Sequence, residues 1–388
     1  MTAFELEHRS NVMASVPNSA AETLGRVTEV DTIRAAALVG ICVVNLPFMG
    51  LPLEDVLRAP VPALDRAAAL LVGTLFASKF FLLFSFLFGW GLSIQMASAA
   101  RAGAHLGPRY ARRIVALGVL GCLHAVLVFT GDILVLYALL GALLWPLRSA
   151  SVRALVRVTA AMVPVAIGAL IVLGVLIGKP ESLAAPDALG GSFLEATRAR
   201  LIEWPGTFVV LVLFQGPMAF GAMTAGLAAA KAGFFEPGSV GRARLARAVP
   251  WCAAVGVAAN LGIALAPIDP ENLLAFLVVL STPVAAPLLS AAWLHLFLWA
   301  DERLPIPSLV VLAGRNSLTV YVTQGVIAGA VFGGYGLGLF GTLGQALLLP
   351  LSLGVAVLAM LLTAAVARIW KRAPLEHLLR VFTRGLTR

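Results

Sequence analysis

The chain has 388 residues, of which 60% are hydrophobic and 12% charged, and its mean hydropathy is +0.96. Soluble domains are typically about 45–50% apolar and about 25% charged, so this composition excludes an ordinary soluble domain and predicts a polytopic membrane protein. The formal net charge of +9 does not indicate a nucleic-acid partner, because the basic residues follow the order of the apolar segments.

Apolar segments recur along the whole chain. A transmembrane helix needs about 20 mainly apolar residues. Ten segments approach or exceed this length: 32–52, 68–96, 113–130, 132–148, 156–178, 206–230, 248–267, 273–300, 308–332 and 343–367. We therefore expect an all-α polytopic membrane protein with about ten transmembrane helices. Its parts would be a flexible cytoplasmic tail (1–30), a transmembrane bundle (31–367) and a basic amphipathic interfacial C-terminal helix (368–388).

The Lys and Arg residues predict the orientation of these spans. With the N-terminus inside, 22 of the 28 lie in inside segments, 5 lie outside and Lys79 lies within a span. Cytoplasmic loops are enriched in Lys and Arg. We therefore expect both termini in the cytoplasm, the chain in the inner (cytoplasmic) cell membrane, and the basic C-terminal segment on anionic lipids. The oligomeric state stays open, with a homodimer as one alternative.

Polar residues lie along one face of the first span. Asp31, Arg34 and Asn45 share this face, because the series Asp31, Arg34, Leu38, Ile41 and Asn45 advances in steps of three or four residues. An arginine at the inner end of a span can bind phosphate groups bidentately. Anchoring of the span at the cytoplasmic surface explains Arg34 equally well.

Lys79 lies deep inside the second apolar segment. A charged group costs about 2.5–3.5 kcal/mol at the centre of a membrane helix on insertion scales. We expect Lys79 to line a site and bind an anionic group; an ion pair with an acid from another span is the alternative.

Arg112 and Arg113 mark the inner end of the third span. Each is explained by topology alone. Together with Arg34 and Arg315 they would also form a cytoplasmic anion-binding patch.

His124 and Asp132 lie on either side of a short connection between the third and fourth spans. Because consecutive spans are antiparallel, the two side chains are expected to approach one another near the outer surface. A carboxylate beside an imidazole orients the ring and raises its basicity, as a general base requires. The alternative is a histidine that only bonds neighbouring helices, with Asp132 as a helix cap. We also expect His124 and Lys79 to share one polar chamber.

Two later segments carry further polar candidates. Gln215 precedes Gly216-Pro217, which is typical of a helix break, and Arg315, Asn316 and Tyr321 make one half of the ninth span unusually polar. Such residues also occur only as interhelical hydrogen-bonding groups. The three cysteines lie in apolar runs without ligand-type spacing, so we expect no metal site, and we expect no covalently bound cofactor.

Ordered sequence blocks resemble the YeiB-type family of bacterial membrane proteins (domain of unknown function 418). The resemblance extends over residues 26–385. The blocks that carry it are residues 30–41 with Asn45, 79–91 (KFFLLFSFLFGWG), 112–113, 121–124, 132–138, 216–217, 314–319 with Tyr321, and 374–376. Ala35-Ala36 and His377 depart from the family pattern.

The family resembles, more distantly, membrane acyltransferases that take acyl groups from cytoplasmic coenzyme A to glycans. The resemblance thus implies a membrane acyltransferase with acyl-CoA as donor and an extracytoplasmic glycan or lipid as acceptor. In the related heparan acetyltransferases the catalytic histidine follows the first span. This chain has no histidine between Asn45 and Lys79, so His124 would have to replace it. The alternative is a transporter or a lipid- or small-molecule-binding protein without covalent chemistry.

Overall fold

The structure is a computed structural model that describes residues 19–101, 103, 105–177, 188–266 and 272–384. Regular secondary structure within these residues is entirely helical. The first half contains α1 (Ser19–Gly50), α2 (Leu53–Leu57), α3 (Ala63–Leu75), α4 (Lys79–Arg101), α5 (Leu106–Leu127), α6 (Leu134–Leu144) and α7 (Val152–Ile177). The second half contains α8 (Phe193–Phe214), α9 (Gly216–Lys231), α10 (Val240–Leu265), α11 (Leu273–Val279), α12 (Thr282–Arg303), α13 (Ser308–Arg315), α14 (Ser317–Phe332), α15 (Gln345–Trp370) and α16 (Pro374–Arg384).

Seven helical segments of the described chain are long and apolar enough to cross a bilayer: Thr28–Gly50, Ala63–Ala100, Leu106–Leu127, Val152–Val175, Val240–Leu265, Thr282–Arg303 and Gln345–Trp370. The pair α8 and α9 meets the same criterion together, although it bends by 51° at the Gln215-Gly216-Pro217 break. Two shorter apolar helices, Leu134–Ser149 and Ser317–Phe332, lie where the fourth and ninth spans were predicted. The expected class, an all-helical polytopic membrane protein, is confirmed.

Glycines allow the central helices to approach closely. A Cβ atom on Gly89 of α4 would collide with the backbone of Met223 in α9, and one on Gly226 of α9 would collide with the backbone of Phe86. Small residues let backbones pack tightly in membranes, where van der Waals contact replaces hydrophobic driving force. The α4–α9 pair therefore forms the rigid centre of the bundle.

The two ends of the chain differ from the expected division. Residues 1–18 of the predicted tail lie outside the described residues, whereas residues 19–30 belong to α1. The predicted interfacial helix is divided, because α15 continues to Trp370 and Lys371 then adopts a left-handed conformation (φ 61°). The chain turns there and α16 begins at Pro374; residues 385–388 lie outside the described residues.

Candidate functional site

His124 and Asp132 form a buried hydrogen-bonded pair. His124 lies in the last turn of α5 and Asp132 lies two residues before α6, so the connection folds one side chain onto the other. Their Nδ1 and Oδ2 atoms are 2.8 Å apart, and both side chains are almost fully buried. Asp132 also accepts a hydrogen bond from the backbone N–H of Leu134 (2.8 Å). The capping role and the histidine-orienting role therefore occur together in one carboxylate.

Tyr321 contacts both members of this pair. Its hydroxyl donates to Asp132 Oδ2 (3.2 Å), and its ring lies 5.1 Å from the imidazole centroid. When Asp132 is ionised, its carboxylate only accepts hydrogen bonds, and Nδ1 of His124 is then the donor toward it. In the neutral ring, Nε2 then carries the free lone pair, which is the form that a general base needs.

The Nε2 atom of His124 lies next to a cavity. It is buried and has no hydrogen-bond partner among the described residues. The cavity has a volume of about 20 Å³, measured as the space open to the centre of a water molecule. Asn45, Met49, Phe129 and Gln324 contribute to its wall. Gly325 keeps the space open, since a Cβ there would lie 2.8 Å from Nε2. A space of this size with polar walls is sufficient for about one water molecule.

Lys79 lies elsewhere and does not line this cavity. The second predicted span is interrupted between α3 and α4, where Ser78 has a φ of 66°. The ammonium group of Lys79 donates to the carbonyl of Gly73 (3.0 Å), which the end of α3 leaves without a helical partner. The structure therefore does not form the expected chamber shared by His124 and Lys79, because the helix break supplies a local partner for the ammonium.

The α3–α4 break is also supported from α12. Trp293 donates its indole N–H to the carbonyl of Leu75 (2.9 Å), and Ser290 donates its hydroxyl to the carbonyl of Lys79 (3.1 Å). No carboxylate of the described residues lies within ion-pair distance of Lys79. The expected alternative of an acidic partner is therefore also not found there.

Asp31, near the start of the apolar span Thr28–Gly50 within α1, joins two of the predicted arginines. Arg34 Nη1 lies 3.1 Å from one carboxylate oxygen of Asp31, and Arg315 Nε lies 2.8 Å from the other. Gly314 makes this possible, because any Cβ there would collide with the backbone of Asp31. Two positive charges thus share one buried negative charge.

Arg113 adds a third positive charge near this end, whereas Arg112 is exposed. The charges of Arg34 and Glu376 both act on the guanidinium of Arg113, and its Nε is buried without a partner among the described residues. Its Cζ also lies 6.0 Å from the ring centroid of Phe88. Arg34, Arg113 and Arg315 therefore form an arginine cluster with excess positive charge.

Glu376 connects the C-terminal helix to the bundle. Its carboxylate accepts hydrogen bonds from the backbone N–H groups of Leu318 (2.8 Å) and Thr319 (3.1 Å) and from the Thr319 hydroxyl (2.6 Å). Asn316 completes the junction by accepting from the N–H of Ala373 (2.9 Å). Burial raises the pKa of Glu376, while these hydrogen bonds act in the opposite direction. Asn316 therefore holds the tail of the chain and does not line the cavity.

Gln215 lies at the bend between α8 and α9, and its Oε1 is buried without a partner among the described residues. It lines neither the His124 cavity nor the arginine cluster. Within the described part of the chain, no three His, Cys, Asp or Glu side chains are grouped as metal ligands would be.

Seven of the predicted residues thus form two groups. His124, Asp132, Asn45 and Tyr321 meet in the second half of α1, and the arginine cluster lies near the start of its apolar span Thr28–Gly50. Sequence reasoning did not anticipate the position of Gly325 beside the imidazole or the docking of Glu376. The docking of Glu376 had a signal in the sequence, because Glu376 is a lone acid among the basic and apolar residues of the tail.

Apolar helices arranged around a buried polar cavity define an integral α-helical membrane protein. The family model described as protein of unknown function (DUF418) matches residues 229–386. The uncharacterized protein YxaH of Bacillus subtilis is 25% identical, over 92% of this chain and 94% of YxaH. The uncharacterized protein YeiB of Escherichia coli is 29% identical, over 92% of this chain and 96% of YeiB. These matches support a YeiB-like DUF418 family for the chain. No solved structure matches it.

Proposed function

We propose that the protein is a membrane acyltransferase that moves an acyl group from a cytoplasmic thioester donor, acyl-CoA, to an extracytoplasmic glycan or lipid acceptor. One observation carries the proposal. Nε2 of His124 is buried, unpartnered among the described residues and adjacent to a cavity, while Asp132 and Tyr321 fix the opposite side of the ring. Most buried side-chain polar atoms have a hydrogen-bond partner, so a free Nε2 beside a cavity favours a chemical role for His124 over packing alone.

In the proposed reaction, Nε2 of His124 takes the proton from an acceptor hydroxyl or amine. The acceptor atom bonds to the thioester carbonyl carbon, and Asn45 donates a hydrogen bond to the resulting oxyanion. The carbon–sulfur bond then breaks, and the departing thiolate takes the proton from the imidazolium. Asp132 stabilises the imidazolium while it exists. Acyl product and free thiol leave, and His124 is neutral again.

The arginine cluster would bind the phosphate groups of the donor. Arginine binds phosphate bidentately, and this cluster has more positive than negative charge. Arg34 and Asn45 are eleven residues apart on α1, which corresponds to roughly 16 Å along a helix. An extended thioester arm would span this distance. Since the cavity accepts only a water-sized group, wall side chains must move before the acyl group enters.

The proposed topology has ten spans with both termini in the cytoplasm of a bacterial cell, in its inner membrane. The spans are the seven long helical segments, the bent pair α8–α9, and the two shorter apolar helices. This arrangement is supported by the distribution of Lys and Arg. It would put the arginine cluster at the cytoplasmic face, the His124 cavity toward the outer face, and the basic residues of α16 on anionic lipids.

The test is transfer of radiolabel from acyl-CoA by the purified protein in lipid vesicles. We expect His124→Gln to lose about 100-fold or more of the transfer rate, because general-base catalysis typically contributes that much. His295→Gln is the control, since His295 lies on α12 outside the cavity wall. Equal transfer by the wild type and His124→Gln would remove His124 from the reaction.

A transporter is the second candidate, and the interrupted helices favour it. Transporter sites are often formed by discontinuous membrane helices, and this bundle has a 51° bend between α8 and α9 and a break beside Lys79. Uptake into proteoliposomes that persists in His124→Gln but disappears in Lys79→Met would favour transport. Lack of uptake in wild-type vesicles that still transfer label would exclude it.

A further inference from the structure

Arg200 of α8 is a buried arginine that has no carboxylate partner among the described residues. Its relative exposure is 5%, and within the described residues its guanidinium makes one hydrogen bond, from Nη1 to the carbonyl of Leu127 (2.9 Å). Leu127 is the last residue of α5, so the negative end of that helix dipole offsets part of the charge. A guanidinium has five N–H donors. Most of its hydrogen-bonding capacity therefore has no partner in the part of the chain that the structure describes.

Arg200 also lines a second cavity at the same end of the bundle as His124. This cavity provides about 20 Å³ for the centres of water-sized groups, and Thr130, Gly329 and Gly333 contribute to its wall. It shares Met49 and Phe129 with the cavity of His124. The two cavities are therefore neighbours that share part of their wall.

We propose that Arg200 and this second cavity form a binding site for an oxyanion, namely a phosphate group carried by a lipid or by a soluble ester. A buried cation with free donors is stabilised by an anion, and the planar guanidinium fork matches phosphate geometry. The space holds about one water-sized group, so wall side chains must move before a phosphate group enters. This inference does not depend on acyl transfer, since it concerns binding alone.

The surroundings of Arg200 favour the lipid as the source of the phosphate. Leu201 and Ile202, next to Arg200 on α8, are 58% and 55% exposed, and Leu194 is 57% exposed one to two turns earlier. Exposed apolar side chains on a membrane helix contact lipid. A lipid beside this surface would reach Arg200 with its headgroup while its acyl chains stay in the bilayer.

The test compares ligands that differ only in phosphate. Delipidated protein is titrated with dioleoyl phosphatidic acid or with dioleoylglycerol, and bound lipid is counted by native mass spectrometry. We expect phosphatidic acid to bind preferentially to the wild type. Arg200→Gln should weaken the binding of one phosphatidic acid by about tenfold or more, because charged hydrogen bonds are lost. Arg198→Gln on the same helix is exposed and should bind like the wild type.

Competition with glycerol phosphate distinguishes the two sources. Displacement of the Arg200-dependent lipid would identify a soluble ester as a ligand, and no displacement would identify the lipid headgroup. Arg200→Lys keeps the charge but loses the fork, so it should also bind more weakly. If Arg200→Gln does not fold, Arg200→Lys becomes the test of the proposal. Unchanged affinity for phosphatidic acid in Arg200→Lys would then overturn it. Equal binding of phosphatidic acid and dioleoylglycerol by the wild type would also overturn it.

Discussion

His124 and Lys79 are both buried ionisable residues inside membrane helices, yet the structure treats them differently. The ammonium of Lys79 donates to a carbonyl released by a helix break, and neighbouring groups from α12 complete the same break. His124 has one nitrogen held by a carboxylate and the other left unpartnered, within the described residues, beside a cavity. Burial alone therefore does not distinguish a structural group from one proposed to be reactive. The distinguishing feature of His124 is an unpartnered atom next to a cavity.

The largest expected effect comes from Asp132. We expect Asp132→Asn to lower the rate of label transfer by about 100-fold or more, because the amide no longer stabilises an imidazolium or fixes the required tautomer. The thermal midpoint should change little, since the amide oxygen can still accept from the N–H of Leu134. Transfer at the wild-type rate would show that the pair is structural, as at Lys79.

Filling the cavity should have the next largest effect. A Cβ at position 325 would lie 2.8 Å from His124 Nε2 and 2.7 Å from Val128. Gly325→Ala should therefore lower the rate of label transfer, by less than Asp132→Asn does, and destabilise the fold by about 1–3 kcal/mol, the usual cost of overpacking. Gly354→Ala is the matched control, because nothing lies within 4 Å of a Cβ there. Equal thermal midpoints and rates in the two variants would contradict a functional cavity.

Substitutions at the helix break beside Lys79 should change the stability of the fold and leave the rate of label transfer unchanged. Trp293→Phe removes the hydrogen bond to Leu75 and should lower the free energy of unfolding by about 1–3 kcal/mol, because a buried carbonyl loses its partner. Trp251→Phe should have no such effect, since Trp251 is 75% exposed. Label transfer per folded molecule should be unchanged in both. A selective loss of transfer in Trp293→Phe would make the break part of the reaction site.

These contrasts also explain what the sequence could predict. The apolar segments were recognisable because hydropathy is a local property, and each predicted segment overlaps a helix of the structure. The pairing of His124 with Asp132 was predictable because only a short turn separates two antiparallel helices. The break before Lys79 was not, since the residues at 76–78 (Phe-Ala-Ser) include no glycine or proline to mark it. The Asn45 side of the cavity and Gly325 come from distant helices, and only tertiary packing brings them together.

Glu376 is a half-buried ionisable group, and its substitution should have the smallest effect in this comparison. Like Lys79, it is satisfied by backbone groups, here the N–H groups at the start of α14. Glu376→Ala should release α16 at a cost of about 1–2 kcal/mol, the usual value of a helix cap. Faster hydrogen exchange at Leu318 and Thr319 would report the release. Glu376→Gln should retain most of the protection, because its amide oxygen can accept the same two N–H groups.

The pH dependence of this docking has a defined sign. Burial raises the pKa of Glu376, so the docked tail takes up a proton more readily than the free tail. Docking should therefore strengthen as the pH falls through this raised pKa and weaken as the pH rises again. Exchange protection at Leu318, measured between about pH 7 and about pH 5 and corrected for intrinsic exchange rates, should increase in the wild type but not in Glu376→Gln. The same increase in both proteins would assign the pH dependence to another group. The role of Glu376 would then be structural only, like that of Lys79.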